Sequence, residues 1–181
     1  DAETGVSIMQ LDEGMDTGAV HSQSSLSIAP DDTCGSMSIK LAELGAKLLV
    51  ETLPTILSGE SQAQAQDDAQ ATHAPLLTKE DGRLDFSLPA AVLERRIRGY
   101  SPWPGAFTTL EGDRVLVTKA SLSDGSGQPG TILKTSKHGI LVACGDSALL
   151  LEEVRPAGRK LMAAAAWSAG RGAKVNDSLG G

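Results

Sequence analysis

A polar segment without a large apolar side chain divides the sequence and decides how the rest of it can fold. Residues 58–72, SGESQAQAQDDAQAT, contain only glycine, alanine and polar residues. Such a segment has nothing to bury and is typical of a linker between folded parts. The sequence therefore predicts two units, residues 1–57 and residues 75–181, joined by a linker over residues 58–74.

The start of the chain has the pattern of two strands joined by a loop. Residues 5–11 and residues 20–28 are apolar-rich or alternating, which indicates strands. Residues 12–18, DEGMDTG, hold two glycines and three acids, which is typical of a loop.

A long helix is predicted next. Apolar residues recur at three- and four-residue spacing over residues 37–57, which indicates one apolar stripe packed in a core. Pro54 lies inside this run, so a kink or break is expected there. Asp32 or Thr33, just before the helix, is a candidate for its cap.

The period changes after the linker. Residues 89–98 predict a short helix with Pro89 near its start. Short β-segments separated by glycine turns follow and predict a small barrel or sandwich. A terminal helix is expected over residues 158–167, and the tail from residue 170 onward is expected to be loose. The five predicted strands are residues 106–110, 114–121, 130–135, 139–143 and 148–154.

Charge is distributed unevenly between the two parts. The net charge of −7 combines −10 over residues 1–78, from two bases and twelve acids, with +3 over residues 79–181, from fourteen bases and eleven acids. A basic second part beside an acidic first part is a weak indication of a module that faces nucleic acid.

Several classes of site are not indicated. No apolar run reaches the roughly 18 residues that a membrane span needs. Cys34 and Cys144 are far apart, and the three histidines show no metal-ligand spacing, so neither a disulfide framework nor a metal site is expected. The chain begins with Asp1 and not with Met, so the sequence reads as a fragment or a processed product.

Three stretches resemble the methionyl-tRNA formyltransferase family. They are DAETGVSIMQLDEGMDTG at residues 1–18, LTKEDGRLDFSLPA at residues 77–90, and IRGYSPWPGAF at residues 97–107 with PGTIL at residues 129–133. Their order and spacing also match. The resemblance implies the end of a doubly wound α/β catalytic domain, followed by a small C-terminal barrel of the OB type that helps to hold tRNA.

The resemblance also implies a reaction. Members of the family transfer a formyl group from 10-formyltetrahydrofolate to the amino group of methionine esterified to initiator tRNA. The transfer passes through a tetrahedral oxyanion and needs a base, an oxyanion donor and an orienting group. In the family these groups are an Asn, a His and an Asp, and only the Asp falls within this sequence. The chain alone is therefore expected to be inactive.

The candidate catalytic residue is Asp16, in the Met-Asp-Thr-Gly turn. By the resemblance it holds the histidine imidazolium or relays a proton. Asp12, four residues earlier, is the alternative acid, and the family more often uses that position as a structural acid. Thr4 and Gly5 are candidates for lining the folate pocket, although the start of a strand explains them equally well.

Candidate contacts to tRNA lie in the second part. Lys79 and Arg83 flank a Glu-Asp-Gly turn, and Arg95 and Arg98 are three apart on the predicted short helix. Phosphate contacts by such residues are salt-sensitive and independent of sequence. Trp103, between two prolines, is expected to be a core residue, with stacking on a base as the alternative.

Two other functions remain open. An amino-sugar-nucleotide formyltransferase of the same wider family shares the Glu-Asp-Gly and Pro-Gly-Ala-Phe segments, although the Leu-Thr-Lys at residues 77–79 and Trp103 favour the tRNA enzyme. A non-catalytic tRNA-binding fragment is the alternative from a different class. For the enzyme, a monomer in the bacterial cytoplasm, away from membranes, is expected, and an organellar location stays open.

Overall fold

The chain folds as two compact units. The structure is a computed structural model that describes residues 1–170 and 172–180. The first unit comprises Asp1–Leu76 and the second comprises Leu77–Gly181.

The first unit is a β-hairpin packed against one long helix. Strand β1 (Glu3–Met9) pairs antiparallel with β2 (Val20–Ser27), and helix α1 (Cys34–Leu57) follows. Gly45 faces Val6, and a Cβ on it would lie 3.3 Å from the Val6 side chain, so its lack of a side chain lets the helix approach β1 closely. The buried Thr52 hydroxyl shares a hydrogen bond of 2.7 Å with the Ser22 hydroxyl, which ties the helix to β2.

The structure bears on two expectations about α1. The helix continues through Pro54 to Leu57, so the alternative of a break at the proline is wrong, and a kink there stays a prediction. The apolar stripe is only partly covered within this unit, because Ile39, Val50 and Leu57 are exposed. Two strands cover a narrow strip of a helix of this length, and apolar side chains beside that strip remain in contact with solvent.

The start of α1 is held by a cap and an ion pair. The Thr33 hydroxyl accepts from the Ser36 amide, and the Ser36 hydroxyl accepts from the Thr33 amide. The buried Asp32 carboxylate pairs with the Lys40 ammonium at 2.7 Å and also accepts from the Ser36 hydroxyl and the Ala29 amide. These donors lower the pKa of Asp32 to about 2, and Lys40 has the largest effect.

The second unit is an antiparallel sheet with a helix packed on it. Helix α2 spans Ala90–Gly99, and the strand order is β3-β4-β7-β6-β5, with β8 added to β7. All five predicted strands are present, and no strand end differs from its prediction by more than two residues. The strands are β3 (Phe107–Leu110), β4 (Asp113–Ser123), β5 (Ile132–Ser136), β6 (Gly139–Ala143), β7 (Ala148–Pro156) and β8 (Met162–Ala163).

The core lies between α2 and the inner face of the sheet. In β4 the buried residues Val115 and Val117 alternate with partly exposed ones, as a strand with one face in the core requires, whereas most of β6 is buried. The turn between β6 and β7 fixes the helix, because the Ala90 amide donates to the Asp146 carboxylate at 2.9 Å and the Gly145 amide donates to the Leu88 carbonyl. The fully buried side chains include Leu84, Leu93, Ile97, Val115, Val117, Ile132, Ile140, Val142, Leu149, Leu151 and Val154.

The predicted barrel is not confirmed, because no strand pairing joins β3 to β5 in the described part of the chain. The end of the chain lies between these two edges instead. The Leu179 amide donates to the Gly130 carbonyl just before β5, and the Gly180 amide donates to the Thr109 carbonyl of β3, both at 2.9 Å. The described residues of the tail, 170 and 172–180, are therefore part of the fold, and the expectation of a loose tail is wrong for them; residues 171 and 181 lie outside the described residues.

The chain also differs from expectation before the tail. The terminal helix, α3, spans only Ala164–Ala169, and the residues before it form β8. Among the described residues, no helix combines the length and the apolar character that crossing a bilayer requires.

We expect Leu179→Ala to lower the free energy of unfolding of the second unit by roughly 2 to 5 kcal/mol, because the Leu179 side chain is 4% exposed within the core. Val175→Ala is the matched control in the same tail, since Val175 is 47% exposed. Both tryptophans, Trp103 and Trp167, lie in this unit, so their fluorescence during urea unfolding reports on it. Equal effects of the two substitutions would contradict the assignment of the tail to the core.

We expect the first unit to lose stability as the pH falls from about 4 toward 2. The pKa of Asp32 is lowered in the folded state from 3.8 to about 2, so its contribution is present above the unfolded value and lost below the folded one. Asp32→Asn should remove this pH dependence, whereas substitution of the exposed neighbour Asp31→Asn should retain it. Far-UV circular dichroism, to which the 24-residue α1 contributes most helix, measures the acid transition.

Candidate functional site

The loop between β1 and β2 contains the candidate catalytic acid and is closed by backbone contacts. The Gln10 amide donates to the Ala19 carbonyl at 2.9 Å where the two strands meet the loop. Gly18 passes so close to the Gln10 carbonyl that any Cβ would overlap it. Only glycine fits this position, so Gly18 fixes how the loop returns to β2.

Asp12 uses its carboxylate within the loop. One oxygen, Oδ1, accepts from the Gly14 amide at 3.0 Å and from the Thr17 hydroxyl at 2.7 Å. This is an Asx-type turn, in which an aspartate side chain replaces a backbone acceptor. The geometry gives Asp12 a structural role.

Asp16 lies at the tip of the same loop with its carboxylate exposed. Its backbone is in the left-handed region, with φ of 58°, which a non-glycine residue adopts at a cost. The Gln66 side-chain amide holds that backbone by donating to the carbonyls of Asp16 and Gly18, both at 2.8 Å. In contrast to Asp12, the Asp16 carboxylate forms no hydrogen bond or ion pair with the described residues.

A cleft of about 750 Å³ adjoins Asp16 within the first unit. Loop residues, the start of β2 and residues 64–74 form its walls, and His21 and His73 are among them. The His21 imidazole bonds the Ser61 hydroxyl at 2.9 Å. A carboxylate at the edge of such a cleft can orient a cationic group or accept a proton.

The polar segment predicted to be a linker contributes to this site. Val20 and Gln64 exchange two backbone hydrogen bonds. Gln66 follows Gln64 by two residues, and its side-chain amide donates to the Gly18 carbonyl of the loop. Sequence reasoning missed both glutamines, although their alternation with alanine has the period of a strand. The assignment of residues 58–74 as a linker stays a prediction.

Thr4 and Gly5 lie at the opposite end of the hairpin from the loop. Thr4 pairs with Leu26, whereas Met9, next to the loop, pairs with Val20. Met9 lies five positions after Thr4 along the strand, a distance of about 17 Å. A Cβ on Gly5 would lie 2.5 Å from the Ser24 carbonyl, so close strand contact alone explains this glycine. The structure does not bring these two residues together with Asp16.

No metal centre is visible in the part of the chain that is described. No group of three or more His, Cys, Asp or Glu side chains there is arranged to hold an ion. The Cys144 thiol is buried, and burial raises its pKa to about 11, which keeps it protonated and unreactive at neutral pH.

In the second unit, the Glu-Asp-Gly motif at residues 80–82 is in contact with the Ser-Pro-Trp-Pro-Gly motif at residues 101–105. The Glu80–Gly82 turn packs against the loop of residues 100–105, and Gly82 touches the Gly105 carbonyl so closely that a Cβ would overlap it. The Leu84 amide donates to the Phe107 carbonyl at 2.8 Å, which continues the contact into β3.

The four candidate tRNA contacts differ in the exposure of their side chains and in the partners of their charged groups. Lys79 and Arg95 are exposed. Arg83 is also exposed, and its guanidinium donates to the Gly180 carbonyl at 3.1 Å. Arg98 is half-buried and pairs with Glu94 on the same helix through two contacts of 2.6 and 3.1 Å. Arg95 is therefore the more available of the two candidate arginines on α2.

The expectation that Trp103 is a core residue is wrong. Its side chain is 52% exposed, whereas Pro104, Gly105 and Ala106 immediately after it are buried. The buried backbone on one side leaves the indole at the surface. The flanking prolines, Pro102 and Pro104, belong to the loop that carries it.

Two family models match the chain. Residues 76–172 match the model described as formyl transferase, C-terminal domain, and residues 1–53 match the model described as formyl transferase. Together they cover most of both units.

A curated relative is similar along nearly the whole chain. The methionyl-tRNA formyltransferase of Myxococcus xanthus strain DK1622 is 49% identical over 165 residues, which are 91% of this chain and 53% of that protein. The chain spans about half the length of the curated relatives it matches.

Solved structures share the fold at low sequence identity. HypX from Aquifex aeolicus in complex with tetrahydrofolic acid has a TM-score of 0.65 and 19% identity, over 92% of this chain and 30% of that one. Methionyl-tRNA formyltransferase from Clostridium thermocellum has a TM-score of 0.52 and 20% identity, over 69% of this chain and 53% of that one. The fold is thus a formyltransferase-like α/β fold with antiparallel sheets.

Proposed function

Because this chain belongs to the formyl transferase family, we propose that it is part of an enzyme that transfers a formyl group from 10-formyltetrahydrofolate to the amino group of methionyl-initiator tRNA. The observation that carries the proposal is the 49% identity to a methionyl-tRNA formyltransferase over 165 residues, more than either unit contains. The similarity therefore includes parts of both units.

The first unit supplies an acid to the reaction in this proposal. The amine attacks the formyl carbon and loses a proton, the carbon–nitrogen bond to folate breaks, and the folate nitrogen gains a proton. The Asp16 carboxylate, whose backbone is held by Gln66 and which is open to the cleft, orients a histidine imidazolium or relays that proton. The resemblance implies that the histidine and an asparagine precede this sequence in the enzyme.

Thr4 and Gly5 are the proposed folate contacts. HypX, a structural neighbour, is described in complex with tetrahydrofolic acid. The distance along the hairpin means that these residues contact a part of the folate remote from the formyl carbon. No metal is invoked in the proposal, because a preorganised oxyanion donor stabilises the tetrahedral intermediate of acyl transfer.

The second unit is proposed to hold the tRNA as an OB-like domain. Its strand order leaves two edges that the C-terminal tail connects, which supports a barrel completed by the tail. Lys79, Arg83, Arg95 and Arg98 are its proposed phosphate contacts. We further propose that the enzyme acts as a monomer in the bacterial cytoplasm, where its tRNA acceptor is used for translation.

The test of this function is a formyl-transfer assay with the complete polypeptide that contains this sequence. Formyl-methionyl-tRNA should form from 10-formyltetrahydrofolate, and a nucleotide-linked amino sugar should not be formylated. Asp16→Asn should lower kcat by about 10² to 10⁴, as expected when an acid–base or electrostatic group is removed. The affinity for tRNA should be unchanged, because the charge acts on the transition state.

Asp12→Asn is the matched control in the same loop. An asparagine keeps the Oδ1 acceptor that bonds Gly14 and Thr17, so activity should fall far less. A greater loss of activity in Asp12→Asn than in Asp16→Asn would show that Asp12, and not Asp16, is the catalytic acid. Formylation of the amino sugar in place of the tRNA would overturn the proposed acceptor.

The structure also predicts which helix arginine contributes to tRNA binding. We expect Arg95→Ala to weaken binding and to reduce the slope of log affinity against log salt concentration by about one. Arg98→Ala should change the slope less, because the Arg98 charge is already paired with Glu94. Titration of tRNA binding at several salt concentrations measures both slopes. A larger change for Arg98 than for Arg95 would contradict this assignment.

A further inference from the structure

The loop that carries Trp103 has a fixed backbone and an exposed aromatic side chain. The Gly105 amide donates to the Tyr100 carbonyl at 2.8 Å, which closes the loop on itself. Gly105, with φ of 81°, lies against Leu116 of β4, and a Cβ on it would be 2.9 Å from the Leu116 Cδ2 atom. The Glu80–Gly82 turn packs on the other side of Gly105. The loop that carries the exposed indole is thus held by the contacts of Gly105, two residues after Trp103.

Cationic side chains share the surface on which this loop lies. Leu116 is the cross-strand partner of both Phe107 and Arg155, so these three side chains project from the same face of the sheet. Arg155 is exposed. The Arg114 guanidinium stacks 3.6 Å from the centre of the Phe107 ring and lies on that face too.

Arg83 adds a further charge beside the loop. It directly follows the turn that contacts Gly105, and its guanidinium is oriented by the Gly180 carbonyl. An exposed indole beside exposed arginines is the combination that proteins use for single-stranded nucleic acid, where bases stack on aromatic rings and phosphates contact cations.

We propose that Trp103 is a stacking platform for an unpaired base of the tRNA, and that Arg155 and Arg83 contact the adjoining phosphates. This inference rests on the proposed function, because it takes tRNA as the substrate. An indole stacks on any base, so the platform contributes affinity without reading sequence. A protein partner would need only the apolar surface of Trp103, and leucine would largely replace it.

The experiment compares Trp103→Phe, Trp103→Leu and the parent chain in tRNA binding. Trp103→Leu keeps an apolar side chain but removes the ring, and should weaken binding by about 5- to 100-fold. Trp103→Phe keeps a ring and should retain most of the affinity. The salt slope should stay the same in Trp103→Leu, since stacking is not ionic, whereas Arg155→Ala should reduce it by about one.

Two further measurements separate stacking from an effect on the fold. A blunt RNA duplex has no unpaired base, so Trp103→Leu should bind it as the parent does. In a Trp167→Phe background Trp103 is the only tryptophan, and tRNA but not the duplex should quench its fluorescence. If Trp103→Leu lost duplex and tRNA binding equally, or kept full affinity for tRNA, this inference would be overturned and the proposed function would stand. A parent chain that binds no tRNA would overturn the proposed role of the second unit and, with it, this inference.

Discussion

The second unit depends on two hydrogen bonds made by the last residues of its chain. The Leu179 and Gly180 amides bond Gly130 beside β5 and Thr109 of β3, and so connect the two edges of a sheet that its strands leave open. Unpaired strand edges expose backbone donors and acceptors and invite pairing with other chains. Here the tail satisfies part of both edges, and Leu179 fills the core beneath them.

The same tail positions the proposed tRNA surface. The Gly180 carbonyl accepts from Arg83, the residue after Arg83 bonds Phe107, and the turn before it packs on the loop of Trp103. Apart from the Arg83 guanidinium, these contacts are made by backbone atoms and glycines, which pack without a flexible side chain between them. A surface that must present an aromatic ring in one orientation gains from such support, because less entropy is lost when a ligand binds to a preorganised site.

Local patterns in the sequence predicted most of the secondary structure but not the contacts between distant segments. The alternation of apolar residues located all five strands of the second unit, because one face of each strand is buried in a common core. The tail was misjudged because its glycines and polar residues resemble a loose end, and its partners lie about fifty to seventy residues away in sequence. Trp103 was misjudged for a related reason, because burial of its neighbours depends on Leu116 and Gly82, which no local pattern reveals. In the first unit the family motif identified both acids, but their different surroundings required the structure.

The two acids of the β1–β2 loop, Asp12 and Asp16, have different roles: one stabilises the loop and the other is available to a substrate. Asp12 is occupied by the Gly14 amide and the Thr17 hydroxyl, so its charge stabilises the turn and is less available to a substrate. Gln66 holds the backbone of Asp16 in a conformation that is unfavourable for a residue with a side chain, and no described residue bonds its carboxylate. A backbone kept in such a conformation by a residue fifty positions away leaves the carboxylate free to meet another group. The polar segment after α1, which has no apolar residue to bury, thereby contributes to the fold through hydrogen bonds to the loop that the proposed chemistry uses.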